Sequence, residues 1–293
     1  MIIVMQKGAS ELCIQTVISL IRDNGLVEHI SRGVERTIIG AVGDERVFDP
    51  HMFEGLDGVE KAMRIVEPWR IVSREVQAED TCISVRGCVF GAAKQLTITE
   101  VEVGLDLSAQ LPQGDVLYFD PCVQAASPYQ IAASTPVSGW QELFSRLQQG
   151  SQPLMVRLRS TEQIDLLLGA GADILYLGSE FVDNRALLDA VRELNIPFVL
   201  EKGRQHTVQE MLVAAEYLAL GGNHQLMFCE AGTLHFDPLC PLRLDVEAIL
   251  MFKMLSHLPV LVNLCPLLKN RSVSPRLLKQ TALATGVHGL ISA

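Results

Sequence analysis

The chain has 293 residues, 48% of them hydrophobic, and a formal net charge of −10. This length accommodates one small and one larger domain. The negative charge and the absence of a lysine and arginine cluster argue against binding to nucleic acid or to anionic membranes. No apolar run approaches the roughly 18–20 residues of a membrane span, and the beginning of the sequence lacks the pattern of a signal peptide.

The seven cysteines are scattered along the chain without any CxxC pair. Such a set, in a sequence without an export signal, is typical of reduced thiols in the cytoplasm. We therefore expect a cytoplasmic protein without disulfides.

The first 70 residues predict a ferredoxin-like domain of the order βαββαβ. Apolar residues recur at helical spacing in the first helix, which Gly25 ends, and β-branched residues fill the third strand. The predicted elements are strand 1–6, helix 10–24, strands 29–33 and 36–42, helix 50–56 and strand 59–65.

Residues 94–293 predict a shortened TIM-type (β/α)8 barrel, preceded by a linker and barrel-capping segment at 71–93. Strands buried on both faces read as continuous apolar runs, and eight such runs alternate with helical segments. The runs are 96–99, 116–119, 154–158, 174–177, 198–200, 226–229, 260–263 and 289–292. Because 100–114 lacks helical periodicity and the sequence stops at the eighth run, we expect the first and last barrel helices to be missing. The apolar flank so exposed predicts an oligomer.

Three segments carry a resemblance to a known family. Residues 31–44 read SRGVERTIIGAVGD, residues 127–129 read SPY, and residues 229–232 read CEAG. In this the chain resembles the 3-deoxy-D-arabino-heptulosonate 7-phosphate (DAHP) synthases that have an N-terminal ferredoxin-like regulatory domain. The resemblance implies condensation of phosphoenolpyruvate with erythrose 4-phosphate, at a divalent metal, in the shikimate pathway of aromatic amino-acid biosynthesis.

The same resemblance implies that most site residues at the strand ends are substituted. Glu102 stands in place of a metal-binding cysteine and Pro266 in place of a metal-binding histidine. Arg157 replaces a glutamate, whereas Glu180 replaces an arginine and Glu201 a lysine. The predicted remnant site at the barrel mouth comprises Glu102, Tyr118, Val123, Ala125, Arg157, Glu180, Glu201, Lys202, Glu230, Ala231 and Pro266.

These substitutions predict a non-catalytic DAHP-synthase-like protein that acts by association or regulation. Its partner would be a second copy or an active DAHP synthase paralogue. The alternatives are a functional DAHP synthase and a barrel enzyme with a changed substrate. We expect no metal or other cofactor, and a new metal site is the less favoured interpretation because no histidine joins the strand-end carboxylates and thiols.

Two interpretations of the charged mouth residues remain. Arg157, Glu180, Glu201, Lys202 and Glu230 either pair with one another and close the site, which we favour, or line a remodelled pocket for a cationic or amino-acid ligand.

The N-terminal domain carries a second candidate site. The resemblance implies that residues 31–36 sense an aromatic amino acid, with polar groups that hold its zwitterion. The candidate residues are Ser31, Arg32, Gly33, Glu35 and Arg36. The equally weighted alternative is that Gly33 makes a turn and that the charges form a solvated face.

Overall fold

Two sheets organise the chain, a four-stranded antiparallel sheet near the N terminus and a closed barrel of eight parallel strands. The computed structural model describes residues 1–33, 36–42, 50–63, 68–101, 112–122, 139–268 and 274–293. Among these residues, no helix has the length and apolar character needed to cross a membrane. The predicted α/β class, a ferredoxin-like domain followed by a TIM-type barrel, is confirmed.

The N-terminal sheet has the strand order β2-β3-β1-β4. Its elements are β1 (Ile2–Met5), α1 (Glu11–Asp23), β2 (Val27–Arg32), β3 (Thr37–Val42), α2 (His51–Glu54) and β4 (Val59–Met63). Helix α1 begins where the Ser10 side chain accepts a hydrogen bond from the Cys13 amide, and its buried face includes Val17 and Ile21. This face packs on one side of the sheet, while Ile2 and Val4 on the other side join the core of the barrel helices.

Eight of the remaining strands form the barrel, in agreement with the eight predicted apolar runs. The barrel strands are β7 (Leu96–Val101), β8 (Val116–Phe119), β9 (Leu154–Leu158), β10 (Ile174–Leu177), β11 (Phe198–Glu201), β12 (Leu226–Glu230), β15 (Val260–Asn263) and β16 (Gly289–Ser292). The strands outside the barrel are β5 (Ile83–Val85), β6 (Cys88–Phe90), β13 (Thr233–Leu234) and β14 (Leu242–Arg243). Strands β5 with β6 and β13 with β14 form two separate hairpins, which the sequence patterns did not indicate.

Helices surround the barrel between its strands. They are α3 (Trp140–Gln148), α4 (Ile164–Ala170), α5 (Arg185–Val191), α6 (Val208–Ala219), α7 (Val246–Leu255), α8 (Cys265–Leu268) and α9 (Pro275–Ala284). Residues 102–111, where we expect the first helix to be missing, lie outside the described residues. That expectation therefore remains a prediction.

The β5–β6 hairpin closes the amino-terminal end of the barrel. Ile83, Val85 and Phe90 pack into the apolar interior together with the inward side chains of the strands. Gly91 has φ +89°, and a Cβ there would lie 2.0 Å from the Thr81 carbonyl oxygen, so only glycine fits. Because this end is filled, the carboxyl ends of the strands are left for chemistry.

A buried carboxylate attaches the segment after the N-terminal sheet to the barrel. Glu216 on α6 accepts hydrogen bonds from the backbone amides of Ile71 at 2.7 Å and Val72 at 3.2 Å. Next to it, His257 Nε2 lies 2.9 Å from the Ile71 carbonyl and Nδ1 lies 2.7 Å from Thr81 Oγ1. Burial lowers the pKa of His257 to about 4, so this histidine is neutral and structural at physiological pH.

We expect Glu216→Ala to lower the free energy of unfolding by about 2 kcal/mol, because two buried amides lose their acceptor. Glu216→Gln keeps an acceptor and should lose less than half of that. Urea denaturation measures both, and Glu247→Ala, at an exposed carboxylate of α7, serves as the control. Equal stability of Glu216→Ala and Glu247→Ala would contradict this role.

Candidate active site

Arg157 is the central cation of the barrel mouth. It lies on β9, and its guanidinium Nη2 is 3.0 Å from Glu180 Oε2 while Nη1 is 3.3 Å from Glu201 Oε2. Glu201 at the end of β11 also accepts hydrogen bonds from the Ser179 amide at 3.0 Å and from the Tyr176 hydroxyl. Three of the five charged residues that the sequence predicted to pair, Arg157, Glu180 and Glu201, are therefore in direct contact.

A second arginine extends this ion-pair network toward β8. Arg159 Nη2 lies 2.5 Å from Asp120 Oδ2, and its Nη1 lies 3.7 Å from Glu180 Oε1. Asp120 Oδ2 is also 4.0 Å from Arg157 Nε. Glu180 thus lies between two guanidinium groups.

Aromatic side chains fill the barrel below these ions. The rings of Tyr118 and Tyr176 lie 4.9 Å apart between centroids, and Asn263 donates a hydrogen bond to the Tyr176 hydroxyl at 3.3 Å. Burial raises the pKa of both phenols, so each remains a neutral donor. The two tyrosines line the inner side of the mouth, so the ion pairs have a low-dielectric environment on that side.

A separate cluster lies at the ends of β11 and β12. Lys202 Nζ is 3.4 Å from Asp245 Oδ2 and 3.8 Å from Glu230 Oε2, and both Lys202 and Glu230 are buried. Glu230 Oε1 accepts hydrogen bonds from the amides of Gly232 at 2.7 Å and Asp245 at 3.2 Å, whereas its buried Oε2 has no hydrogen-bond partner. Burial raises the pKa of Glu230 to about 7, against the opposing effect of Lys202.

The remaining predicted mouth residues are placed as follows. Ala231 is buried just after β12, and Pro266 is half-buried in α8. Glu102, Val123 and Ala125 lie outside the described residues.

Four residues of the mouth were not predicted from the sequence. They are Asp120, Arg159, Tyr176 and Asp245. Asp120 and Arg159 each follow a barrel strand closely, so inspection of every charged residue just after a strand end, beyond the positions that the family uses, would have found them.

The candidate effector residues point in different directions. The Ser31 hydroxyl lies 2.6 Å from His224 Nε2 and 3.1 Å from the Ala219 carbonyl, both on the barrel side. Arg32 points to the opposite face, where it pairs with Glu11 at 2.8 Å.

Gly33 and Arg36, at the facing ends of β2 and β3, lie close together. The Gly33 amide donates to the Arg36 carbonyl at 2.9 Å, and a Cβ on Gly33 would lie 2.7 Å from His224 Nδ1. Arg36 pairs with Glu60 at 2.8 Å, and Glu35 lies outside the described residues. This geometry supports a turn at Gly33, and amino-acid binding by this segment remains a prediction.

Comparison with known proteins identifies the family. A model of the DAHP synthase ferredoxin-like domain matches residues 1–67, and a model of the DAHP synthetase I family matches residues 160–292. A phospho-2-dehydro-3-deoxyheptonate aldolase from Thermotoga maritima is 29% identical over 305 residues, which covers 99% of this chain and 88% of that protein. The chain belongs to the DAHP synthase family.

Solved structures of DAHP synthases agree with this assignment. The crystal structure of the DAHP synthase from Thermotoga maritima matches with a TM-score of 0.64 and 27% identity, covering 99% of this chain and 86% of that one. A truncated form of the DAHP synthase from the same organism has a TM-score of 0.61 and 22% identity, and it covers 76% and 84% of the two chains. This second likeness concerns the fold alone.

The prediction of a non-catalytic protein is contradicted by these matches, which support an active DAHP synthase instead. The physical reason for the error is that loss of the family's cations does not leave the mouth without positive charge. Arg157 and Glu180 carry the opposite charges to those that the resemblance implies at these two positions, and they contact each other. Arg159 adds a further cation to the mouth.

The divalent metal implied by the family finds few donors in this part of the molecule. No three histidine, cysteine, aspartate or glutamate side chains converge as a metal site within the ranges that the structure describes. Asn263, Leu264, Cys265 and Pro266 follow one another at the end of β15, and Pro266 stands where the resemblance implies a histidine. The described residues therefore do not fit this metal.

We expect Arg157→Met to lower the free energy of unfolding by about 3–5 kcal/mol, because Glu201 would remain buried without its cation. The double variant Arg157→Met/Glu201→Gln should recover at least half of that loss. Urea denaturation of both variants measures the effect, with the exposed Arg185→Met as control. A loss below about 1 kcal/mol in the single variant would contradict the central role of Arg157.

Glu230 should make the stability of the protein depend on pH. Its pKa is about 7 in the folded protein and 4.5 in the reference state, so its stabilising contribution is complete below pH 4.5 and is lost as the pH rises through 7. Between pH 5 and 8, the wild type should lose up to about 3 kcal/mol relative to Glu230→Gln, which cannot ionise. Parallel stability curves of the two proteins would refute the raised pKa.

Proposed function

We propose that this chain is an active DAHP synthase that joins phosphoenolpyruvate to erythrose 4-phosphate at the carboxyl ends of the barrel strands. The observation that carries the proposal is the match to a phospho-2-dehydro-3-deoxyheptonate aldolase over 99% of the chain. The resemblance and the family models support the same reaction and its place in the shikimate pathway.

The mouth contains cations of the kind that bind phosphate groups. Arg157 and Arg159 at the end of β9 and Lys202 after β11 are largely buried. At 4 Å and an effective dielectric constant near 20, each unit of opposite charge gains about 4 kcal/mol from such a cation. The three cations can therefore attract the phosphate groups of the substrates once their present carboxylate partners are displaced.

Glu230 is suited to carry a proton near neutral pH. Condensation of an enol phosphate with an aldehyde converts the aldehyde oxygen into a hydroxyl group, which takes up one proton. Glu230 holds a proton up to about pH 7, and its free Oε2 faces Lys202. A group whose pKa lies near the working pH is the most effective acid or base.

A barrel enzyme with a changed substrate is the second candidate. Among the described residues, the two clusters contain five carboxylates for three cations: Asp120, Glu180, Glu201, Glu230 and Asp245 against Arg157, Arg159 and Lys202. This excess favours a substrate with a cationic group. Such an enzyme would bind an amine in the mouth and would leave phosphoenolpyruvate unchanged.

We also propose that the protein is cytoplasmic and that it associates with itself. All seven cysteines are free thiols, as a reducing cytoplasm would leave them. Leu250, Met251 and Met254 expose apolar surface on α7 and support self-association. A DAHP synthase paralogue as a partner and an aromatic amino acid as a ligand remain predictions.

The proposal predicts loss of phosphoenolpyruvate and release of phosphate when the protein is mixed with erythrose 4-phosphate and a divalent metal salt. Arg159→Met and Lys202→Met should each lower kcat/KM at least about 100-fold, which corresponds to 2.7 kcal/mol of transition-state binding. Ultraviolet absorbance of phosphoenolpyruvate follows the reaction. The matched control is Arg22→Met, at an ion pair on α1 far from the barrel mouth.

Two outcomes would contradict the proposal. One is a rate of phosphoenolpyruvate loss that does not exceed the rate without protein. The other is a rate that Arg159→Met, Lys202→Met and Arg22→Met all leave unchanged, since the reaction would then not depend on these cations.

A further inference from the structure

Glu180 is the outermost partner of the two arginines in the mouth. Its side chain is 39% exposed, whereas the side chains of Arg157, Arg159 and Glu201 are 9%, 17% and 7% exposed. The buried Glu201 side chain can therefore move only together with the barrel core. Glu180 can leave the arginines through rotation of its own side chain into solvent.

The backbone around Glu180 is held in place while the side chain remains movable. Phe181 is fully buried, and its amide donates to the Gly178 carbonyl at 3.0 Å. Gly178 allows close approach of the guanidinium, because a Cβ there would lie 2.0 Å from Arg157 Nη2. The Arg157 side chain is thus fixed against the backbone whether or not Glu180 stays in contact.

Hydrogen bonding between the Glu180 carboxylate and the two arginines is incomplete. Glu180 Oε1 is buried without a hydrogen bond and lies 3.7 Å from Arg159 Nη1, too far to accept one. Arg157 Nε, in a side chain more than nine-tenths buried, also has no hydrogen-bond partner. A phosphate group, with more oxygens and a second negative charge, can accept donors that a planar carboxylate leaves free.

We propose that Arg157 and Arg159 form an anion-binding subsite for a phosphate monoester, and that Glu180 occupies this subsite as an internal substitute until the ligand displaces it. The inference rests on the proposed function for its ligand class. In the protein without substrate, Glu180 competes with the ligand for the two arginines. Glu180 therefore sets how tightly the phosphorylated substrate binds.

The test is calorimetric titration of the full-length protein with inorganic phosphate, in a buffer free of other polyvalent anions. Glu180→Gln removes the internal competitor's charge and should bind phosphate at least 10-fold more tightly than the wild type. Asp183→Asn is the matched control, because Asp183 lies in the same loop, is 80% exposed, and pairs with His206 at 3.2 Å. It should change the affinity less than twofold.

Arg159→Met in the Glu180→Gln background should remove the gain. Glu180→Ala serves as the second variant, with the same expected gain, should Glu180→Gln fail to fold. The same titration with phosphoenolpyruvate shows whether the rest of the substrate adds to the affinity. A gain in affinity in the Glu180 variants for both ligands locates the phosphate group at this subsite.

Equal effects of Glu180→Gln and Asp183→Asn would overturn the proposal, because they would indicate a general charge effect. Phosphate binding that Arg159→Met leaves unchanged would also overturn it. Neither result depends on turnover, so failure of the condensation assay and failure of this inference are distinguishable.

Discussion

The Arg157 guanidinium is almost completely removed from water at the mouth of the barrel, and a buried cation of this kind needs carboxylates around it. Glu201 contacts it from inside and Glu180 from outside, while Asp120 links it to Arg159. The tyrosines below cannot supply negative charge, because burial keeps their phenols neutral. The arrangement of the strand ends follows from this single requirement.

The same requirement applies to Glu180 at the outer side of the mouth. Arg157 on β9 and Glu180 after β10 form an ion pair, and each carries the opposite charge to the residue that the resemblance implies there. The summed charge at the two positions is therefore the one that the resemblance implies. Anionic ligands would then meet Arg157 and Arg159 from the solvent side, through the position that Glu180 occupies.

The fold could be predicted from the sequence because it depends on local patterns. Continuous apolar runs located all eight barrel strands, and helical spacing before Gly25 located α1. The contacts of Arg157 with Glu180 and Glu201 followed from the convergence of strand ends. Asp245 could not be found in this way, because it reaches Lys202 from the start of α7, on a loop whose path has no sequence period.

The functional prediction failed for a different reason. A single substitution at a strand end does not predict the energy of a buried charge, because that energy depends on the partners of the charge. The three-dimensional contacts show that Arg157 and Glu180 pair with each other and that Arg159 lies beside them as a further cation.

A crystal structure of the protein with phosphoenolpyruvate at saturating concentration tests the account most directly. The account predicts a phosphate group within hydrogen-bond distance, about 3 Å, of the Arg157 and Arg159 guanidinium groups, with the Glu180 side chain rotated into solvent. A structure in which Glu180 remains on both arginines, with the ligand elsewhere or not bound, would contradict it.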